Sequence, residues 1–598
     1  MACSVTGFAQ SGEDLFKSAC ASCHEGGMDR APARAALREF SAERVLQAVE
    51  TGAMVSMASR YSAVQRRTIA EFVTGKTLSD KLVDLPSPEA MCKASPEPDF
   101  SKVSWNGWGQ GTSNARFQTA ANAGLSATNV PKLKVKWAFG FPGEQSVMAQ
   151  ATVVGGRLFI GSPGGKVYSL DTATGCVHWW MQAGSAVRNA VRIENVGGVF
   201  MAFFGDQSGN VYAVDAATGK QVGKVKADDS PVARVTGSIA FNAGKLYVPI
   251  ASGEEVASTG PGYECCKFRG SITALDAATG KQVWKTYSIE ETPKPTKKNA
   301  AGTQLYGPSG APIWSSPTID TRRNAIYATT GNNYSDPPTR GSNAFLAMDL
   351  DTGKLLWSRQ MTEQDAYVSA CRLPDKTNCP DSNGPDFDFS SGPILVDLGN
   401  GRRALVAGQK SGMVHAINPD QQGEVLWQTR VGKGGTMGGV QWGSASDGTN
   451  VYVANSDIKR IMLTYSTSTD ADPLQGGGMF ALRISDGKQV WSAPPAKCGT
   501  RARCSPAQSA AVTAIPGVAF SGSVDGHMRG YSTRDGKVIW DFDTQREYKT
   551  VNGVPGRGGS IDGPGPVISG GMLFMGSGYV GAGGAPGNVL LGLSVDGK

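Results

Sequence analysis

The most regular hydrophobic pattern in the chain runs from Ile272 to Trp284, ITALDAATGKQVW, where apolar positions alternate, break at Asp276, Thr279 and Gly280, and resume towards Trp284. Alternation on both sides of an Asp/Gly turn predicts two half-buried strands joined tightly. The pattern recurs. Turn glycines stand at 175, 219, 280, 353, 423, 487, 536 and 597, and four residues on come Trp179, Gly223, Trp284, Trp357, Trp427, Trp491 and Trp540. The eighth copy has no tryptophan of its own; the missing residue is found in KVKW, ending at Trp137. Eight strand-turn-strand units, the last completed by an N-terminal strand, predict a closed ring of small sheets with few open edges. The 462 residues from 137 to 598 give about 58 per unit, room for four strands and their loops. The fold expected is an all-β eight-bladed propeller.

Before residue 84 the period changes from two to that of helices. Helices are expected at Glu13 to Ala19, Ser41 to Glu50 and Ser62 to Val73, the last opened by a Ser62/Gln65 capping box and closed by Gly75. Cys20-Ala21-Ser22-Cys23-His24 is C-x-x-C-H, the attachment signature of c-type haem: two thiols form thioethers and the histidine supplies an axial nitrogen. A zinc site would need a second Cys/His pair nearby, but the next histidine is His178. Met54 and Met57 lie between the last two helices, where a sixth iron ligand belongs, whereas Met28 follows the motif too closely. The order T-G-A-M resembles the lead-in to the methionine ligand of small cytochromes c, which favours Met54 over Met57. The expected organisation is a small all-α cytochrome c domain over 1–83, a Pro-rich linker over 84–104, and the propeller over 105–598.

Composition narrows the setting. A net charge of +7 with no run of Lys or Arg excludes a nucleic-acid face. No apolar run approaches the ~20 residues of a membrane span, and Met1-Ala2-Cys3 leads into polar sequence without a signal region. Of 11 cysteines, two belong to the haem motif. Cys265/Cys266, Cys371/Cys379 and Cys498/Cys504 read as local pairs, Cys92 and Cys176 as a fourth, and Cys3 as the odd one. Such pairing belongs to an oxidising compartment, and the periplasm is expected.

The A-L-D-A-A-T-G-K-x-x-W repeat resembles the tryptophan-docking repeat of the quinoprotein alcohol dehydrogenases, which use pyrroloquinoline quinone (PQQ). The likeness covers roughly 105–598. The repeat alone does not separate these enzymes from cofactor-free propellers, so residues within single blades decide. Arg188 resembles the family's arginine on a PQQ carboxylate, and Thr236-Gly237-Ser238 falls where the family places hydroxyls at the quinone edge, with Thr236 and Ser238 as the alternatives. Ala251 to Glu255 with Phe268-Arg269-Gly270 resembles the stretch whose glutamate binds Ca²⁺; position matching favours Glu255, with Glu254 as the alternative. Here an insertion carries Cys265-Cys266. Adjacent cysteines can close an eight-membered disulfide, and the family carries such a pair over the quinone face from an earlier blade. The expectation is that this pair covers one face of PQQ from a shifted position; two separate disulfides are the alternative.

Trp314 lies 18 residues before Asn332, the family spacing between the tryptophan stacked on PQQ and a Ca²⁺-ligating asparagine. Asp386-Phe387-Asp388-Phe389 resembles the stretch whose second acid is the catalytic base, which selects Asp388, with Asp388 also beside the metal. Ser390 replaces the extra aspartate associated with lanthanide use, so Ca²⁺ is expected. Lys410 resembles the basic residue that donates to the quinone oxygens, and Trp442 is expected to face the cofactor.

Together these features resemble a quinohaemoprotein alcohol dehydrogenase that passes electrons from PQQ through haem c to an external cytochrome c. The cytochrome-first order resembles the polyvinyl alcohol dehydrogenases of that family, which oxidise secondary hydroxyls of a polymer, so a polymeric alcohol is the expected substrate. The competing class is a non-enzymatic propeller scaffold with a fused cytochrome, but such a scaffold has no need of Glu255, Asn332, Asp388, Lys410 and Trp314 together. A second haem inside the propeller would need axial histidines, and His178, His415 and His527 all fall in or beside repeat strands.

Overall fold

The turn at Asp276 shows how the repeat folds. Its carboxylate accepts hydrogen bonds from the Thr279 amide at 2.8 Å and hydroxyl at 2.7 Å, while Gly280 adopts φ +70°. Strand Ser271–Asp276 then pairs antiparallel with Gln282–Tyr287, bringing Trp284 opposite Ala274. The indole of Trp284 donates to the Leu350 carbonyl of the next blade at 3.1 Å and packs so closely on that blade's turn that a Cβ on Gly353 would lie 2.5 Å from it. The glycine therefore serves the left-handed turn and the indole at once. Trp137, Trp179, Trp427 and Trp491 donate in the same way to Thr172, Ala216, Ile484 and Thr533 of the following blade. Gly223 breaks the series, and Gly280 faces Val225 instead of an indole.

The computed structural model describes residues 11–25, 31–50, 54, 58, 63–79, 86–94, 96–462, 469–501 and 504–598. Cys3, Met28, Met57 and the proposed cap Ser62 lie outside them. Eight antiparallel sheets follow one another: blade 1 over 152–182, blade 2 over 192–226, blade 3 over 233–287, blade 4 over 318–360, blade 5 over 394–430, blade 6 over 445–493, blade 7 over 513–543 and blade 8 over 567–595. Blade 8 takes its fourth strand from Leu133–Gly140, paired antiparallel with Val589–Val595, so the ring closes as the displaced Trp137 implied.

Residues 103–118 lie against nearly the whole circle. Val103 pairs with Val154 of blade 1, and the Asn106 side chain bridges Ile193 of blade 2. Asn114 donates to Ser316 and Pro317 next to blade 4. The carbonyls of Ser113, Ala115 and Arg116 accept from Leu395, Ser446 and Ala514, in blades 5, 6 and 7. Gln118 reaches Ile568 of blade 8 at 3.0 Å. One segment thus satisfies inner-strand groups of seven blades, which would otherwise stay unpaired.

The N-terminal helices are Gly12–Ala19, Ala21–His24, Arg34–Leu37, Ala42–Glu50 and Ala63–Thr74, with Gly75 at φ +67° ending the last. Leu15, Phe16, Val45, Ile69, Ala70 and Val73 form their shared core. No described helix is long and apolar enough to cross a membrane. The segment read as a linker is strapped to blade 1 where described: Cys92 is disulfide-bonded to Cys176, Pro96 accepts from Arg157, and Phe100 is buried against Phe159 and Phe200. The local pairs Cys265–Cys266, Cys371–Cys379 and Cys498–Cys504 are bonded as read.

Candidate active site and haem pocket

A cavity of about 440 Å³ begins among the N-terminal helices and continues into the middle of the propeller. At its helical end the C-x-x-C-H motif forms one helical turn, the His24 amide bonding back to the Cys20 carbonyl at 2.9 Å. That turn brings Cys20, Cys23 and His24 to the cavity together, and neither thiol is in a disulfide. His24 Nδ1 lies 2.7 Å from the Pro32 carbonyl. With Nδ1–H donated there, Nε2 is left for a metal. Burial lowers the His24 pKa, favouring the neutral imidazole that ligates iron. Phe16, Leu37, Val45, Val49, Ile69 and Val73 supply apolar walls, and Met54 lines the same space. These residues fit a covalently attached haem.

At the propeller end the walls carry charge. Arg188, Thr236, Glu255, Trp314, Asp388 and Trp442, all named from sequence, line the cavity. The Trp314 and Trp442 rings meet edge to face at 5.8 Å, and the Arg188 guanidinium lies 5.2 Å from the Trp442 ring centre. Flat indole surfaces beside a guanidinium fit a planar polycarboxylate. Asp388 Oδ1 accepts from the Asn332 amide at 2.7 Å and Oδ2 from Lys410 Nζ at 2.8 Å. A Cβ on Gly331 would lie 2.7 Å from that Oδ1, so the glycine makes room for the carboxylate.

The two glutamates separate cleanly. Glu254 is 1% exposed, and its oxygens accept from Tyr263 Oη and the amides of Lys267 and Phe268 at 2.8 to 3.0 Å. Burial still pushes its carboxyl above the ordinary value. Glu255 reaches the cavity instead, with the Ser369 hydroxyl 3.5 Å from Oε1. Among the described residues no group of three or more His, Cys, Asp or Glu could hold a metal ion. A Ca²⁺ here would therefore draw on Glu255 and Asp388 in the wall and on neutral oxygens, the Asn332 side-chain oxygen among them once it turns in from behind the wall, a hard-donor set that suits it.

Five residues are placed differently from the sequence reading. Lys410 is fully buried and does not line the cavity; its ammonium bridges Asp386 at 3.0 Å and Asp388 at 2.8 Å. It reaches the site through Asp388. Asn332 also stands behind the wall, its Nδ2 donating to the Asn333 and Tyr367 carbonyls. Ser238 accepts from the Ala190 amide at 2.8 Å and borders a small adjoining pocket shared with Thr236, Trp314 and Trp442. The expectation that Cys265-Cys266 covers a cofactor face is not met in this geometry: the pair is buried in a cluster with Val235, Phe268 and Tyr334 and does not line the cavity. The cause is local pairing, since Cys265 and Cys266 exchange backbone hydrogen bonds with Tyr306.

Sequence reading missed Arg234, Arg372 and Asp562, which line the cavity, and Asp365 beneath it. Burial lowers the Arg234 pKa, with Tyr334 and Glu255 opposing the loss and Arg188 adding to it. Asp562 accepts from Trp442 Nε1, from Ser509 at 2.8 Å and from the Gly563 amide at 2.6 Å, and burial raises its pKa. Asp365 accepts from the amides of Asp386 at 3.0 Å and Phe387 at 2.7 Å, fixing the D-F-D-F loop. None lies in a local motif. His178, His415 and His527 do not line the cavity.

Residues 105–431 match the family described as glucose/ethanol/alcohol dehydrogenase, beta-propeller domain. Residues 7–73 match cytochrome c oxidase, cbb3-type, subunit III, and 410–583 match outer membrane protein assembly factor BamB. A polyvinylalcohol dehydrogenase of Pseudomonas sp. is 43% identical over 98% of this chain and 94% of its own length. Another, from Sphingopyxis sp. (strain 113P3), is 40% identical over 98% and 93%. Among solved structures, quinohemoprotein alcohol dehydrogenase from Comamonas testosteroni superposes with TM-score 0.59 at 19% identity, covering 83% of this chain and 81% of its own. A europium-containing methanol dehydrogenase gives 0.60 at 18% identity, over 82% and 98%. At these identities the two structures bear on the fold alone.

Proposed function

The chain belongs to the PQQ-dependent quinohaemoprotein alcohol dehydrogenases, with PQQ, Ca²⁺ and haem c as its cofactors, and from that premise we propose that it oxidises secondary hydroxyls of polyvinyl alcohol in the periplasm and delivers the electrons to an external cytochrome c. The substrate rests on the near full-length likeness to two polyvinylalcohol dehydrogenases. The compartment is supported by four disulfides. The carrying observation is a single cavity lined at one end by Cys20, Cys23, His24 and Met54 and at the other by Glu255, Trp314, Asp388 and Trp442.

When bound, PQQ with Ca²⁺ accepts the hydride of the alcohol carbon, and haem c carries the electrons onward one at a time. Asp388 takes the hydroxyl proton on a carboxylate oxygen as general base. The Asn332 amide and Lys410 hold that carboxylate from behind, so its orientation is set before substrate arrives. Asp386, Lys410 and Asp365 act as positioning residues for the same loop. Glu255, and Asn332 from behind the wall, would offer oxygens to the metal. Arg188, Thr236 and Ser238 would meet the quinone's polar edge, and Trp314 with Trp442 would shape its slot. Cys20 and Cys23 would hold the haem, and His24 and Met54 would supply its iron ligands.

The deciding experiment is dye-linked oxidation by the chain loaded with haem, PQQ and Ca²⁺, across primary, secondary and polymeric alcohols. Secondary alcohols and polyvinyl alcohol should be turned over fastest. Turnover restricted to short primary alcohols would reject the substrate assignment.

A further inference from the structure

The helix Ala42–Glu50 of the haem domain carries Arg44 and Gln47, one turn apart, to one point on the propeller. Arg44 Nη2 lies 3.1 Å from Glu144 Oε2, with side chains only 17% and 4% exposed. The other Glu144 oxygen accepts from the Gly164 amide at 2.5 Å. The carbonyl of Gly164 accepts in turn from Gln47 Nε2, and from Gln182 Nε2 at 2.9 Å. Both backbone groups of one glycine are thus held by side chains that meet between the domains. A Cβ on Gly164 would lie 2.5 Å from Glu144 Oε1 and 3.3 Å from Gln47 Oε1, so those side-chain ends must move aside for anything larger. A second contact lies at the haem motif itself, where Cys23 Sγ stands 3.9 Å from Thr259 Oγ1 in blade 3. Between the two contacts the haem pocket opens into the propeller cavity.

We propose that Arg44, Glu144, Gly164 and Gln47 form a latch that fixes the haem domain over the propeller cavity and so sets the rate at which electrons pass from reduced PQQ to ferric haem. The latch rests on the reading of the two cavity ends given above. Its residues are positioning residues, acting through domain placement and not on substrate. A buried carboxylate stripped of its guanidinium partner is costly, so losing Arg44 favours separation of the domains, where water reaches Glu144. Gln47 cannot replace the charge. Gly164→Ala attacks the same contact without altering any charge, by forcing the Glu144 carboxylate away.

The test uses the full chain loaded with haem, PQQ and Ca²⁺, mixed rapidly with a secondary alcohol, with quinone and haem absorbance followed separately. Small-angle scattering is recorded on the same samples. In Arg44→Ala the ratio of docked to undocked haem domain should fall about 10²-fold, so haem reduction slows, the scattering profile expands, and quinone reduction keeps its wild-type rate. Gly164→Ala should act in the same direction but more weakly, because the Glu144 and Gln47 side-chain ends can move aside, and Arg44→Lys should restore most of the haem rate. Haem reduction at the wild-type rate with an unchanged scattering profile in both Arg44→Ala and Gly164→Ala overturns the latch. Loss of quinone reduction in step with haem reduction also overturns it, because the residues would then serve the propeller site. If wild-type quinone is not reduced by alcohol yet Arg44→Ala still expands, the functional reading falls and the latch stands.

Discussion

The two ends of the cavity are built on opposite principles. The haem end is assembled from neighbours in sequence, residues 16 to 73, with walls of Phe, Leu, Val and Ile around one neutral histidine. The propeller end draws Arg234 and Glu255 from blade 3 and Arg188, Asp388 and Asp562 from the connections leading into blades 2, 5 and 8, and keeps these groups near one another in one cavity. Haem is held by covalent bonds and iron ligation, so its pocket need only exclude water and fix a ring. A quinone carboxylate, a metal and a proton acceptor need opposed charges, which are tolerable in a buried site only when each is paired. One end therefore shows itself as a motif, and the other as a constellation.

If the ends are separable, damage at one should spare the other. The largest effect is expected from His24→Ala, which removes the axial nitrogen. The spectrum of low-spin haem should be lost while alcohol-driven quinone reduction survives; loss of both would show that the ends do not act independently.

Next in size is Asp388→Asn, which keeps an oxygen near the metal but removes the base. Turnover should fall about 10²- to 10⁴-fold while PQQ still titrates in. Asp386→Asn should cost less, because Lys410 keeps its bond to Asp388. An inactive Asp386→Asn beside an active Asp388→Asn would move the base by two residues.

A smaller and sharper contrast is offered by the adjacent glutamates. Glu255→Gln should raise the Ca²⁺ concentration needed for activity by roughly tenfold or more. Glu254→Gln should leave the Ca²⁺ demand unchanged but lower the thermal midpoint, since its carboxylate accepts three hydrogen bonds. Reversed outcomes would exchange the two roles.

The smallest effect is expected far from both ends. Trp427→Phe removes the donor to the Ile484 carbonyl and should cost about 1 kcal/mol, seen as a lower denaturation midpoint with unchanged haem and quinone reduction rates. A change in either rate would mean that the docking girdle shapes the cavity.

What the sequence by itself determined follows from short-range physics. Turn glycines and docking tryptophans repeat because every blade solves the same packing problem, so their period was readable, down to Trp137 closing the ring. Cys20, Cys23 and His24 fit within one helical turn and were equally plain. Arg188, Trp314, Glu255 and Asp388 were found through resemblance at single positions, and the structure brings them to one cavity. Tertiary structure alone decided the rest. Local pairing with Tyr306 draws Cys265-Cys266 into the core, and Lys410 serves Asp388 and Asp386 from behind the wall. Arg234 and Asp562 matter through partners from other parts of the ring, and Asp365 through the Asp386 and Phe387 amides of the connection into blade 5, none of which a local motif encodes. The contact of Arg44 with Glu144 joins residues 100 positions apart across two domains. Charge pairing at that range depends on where surfaces meet, and the surfaces exist only once both domains have folded.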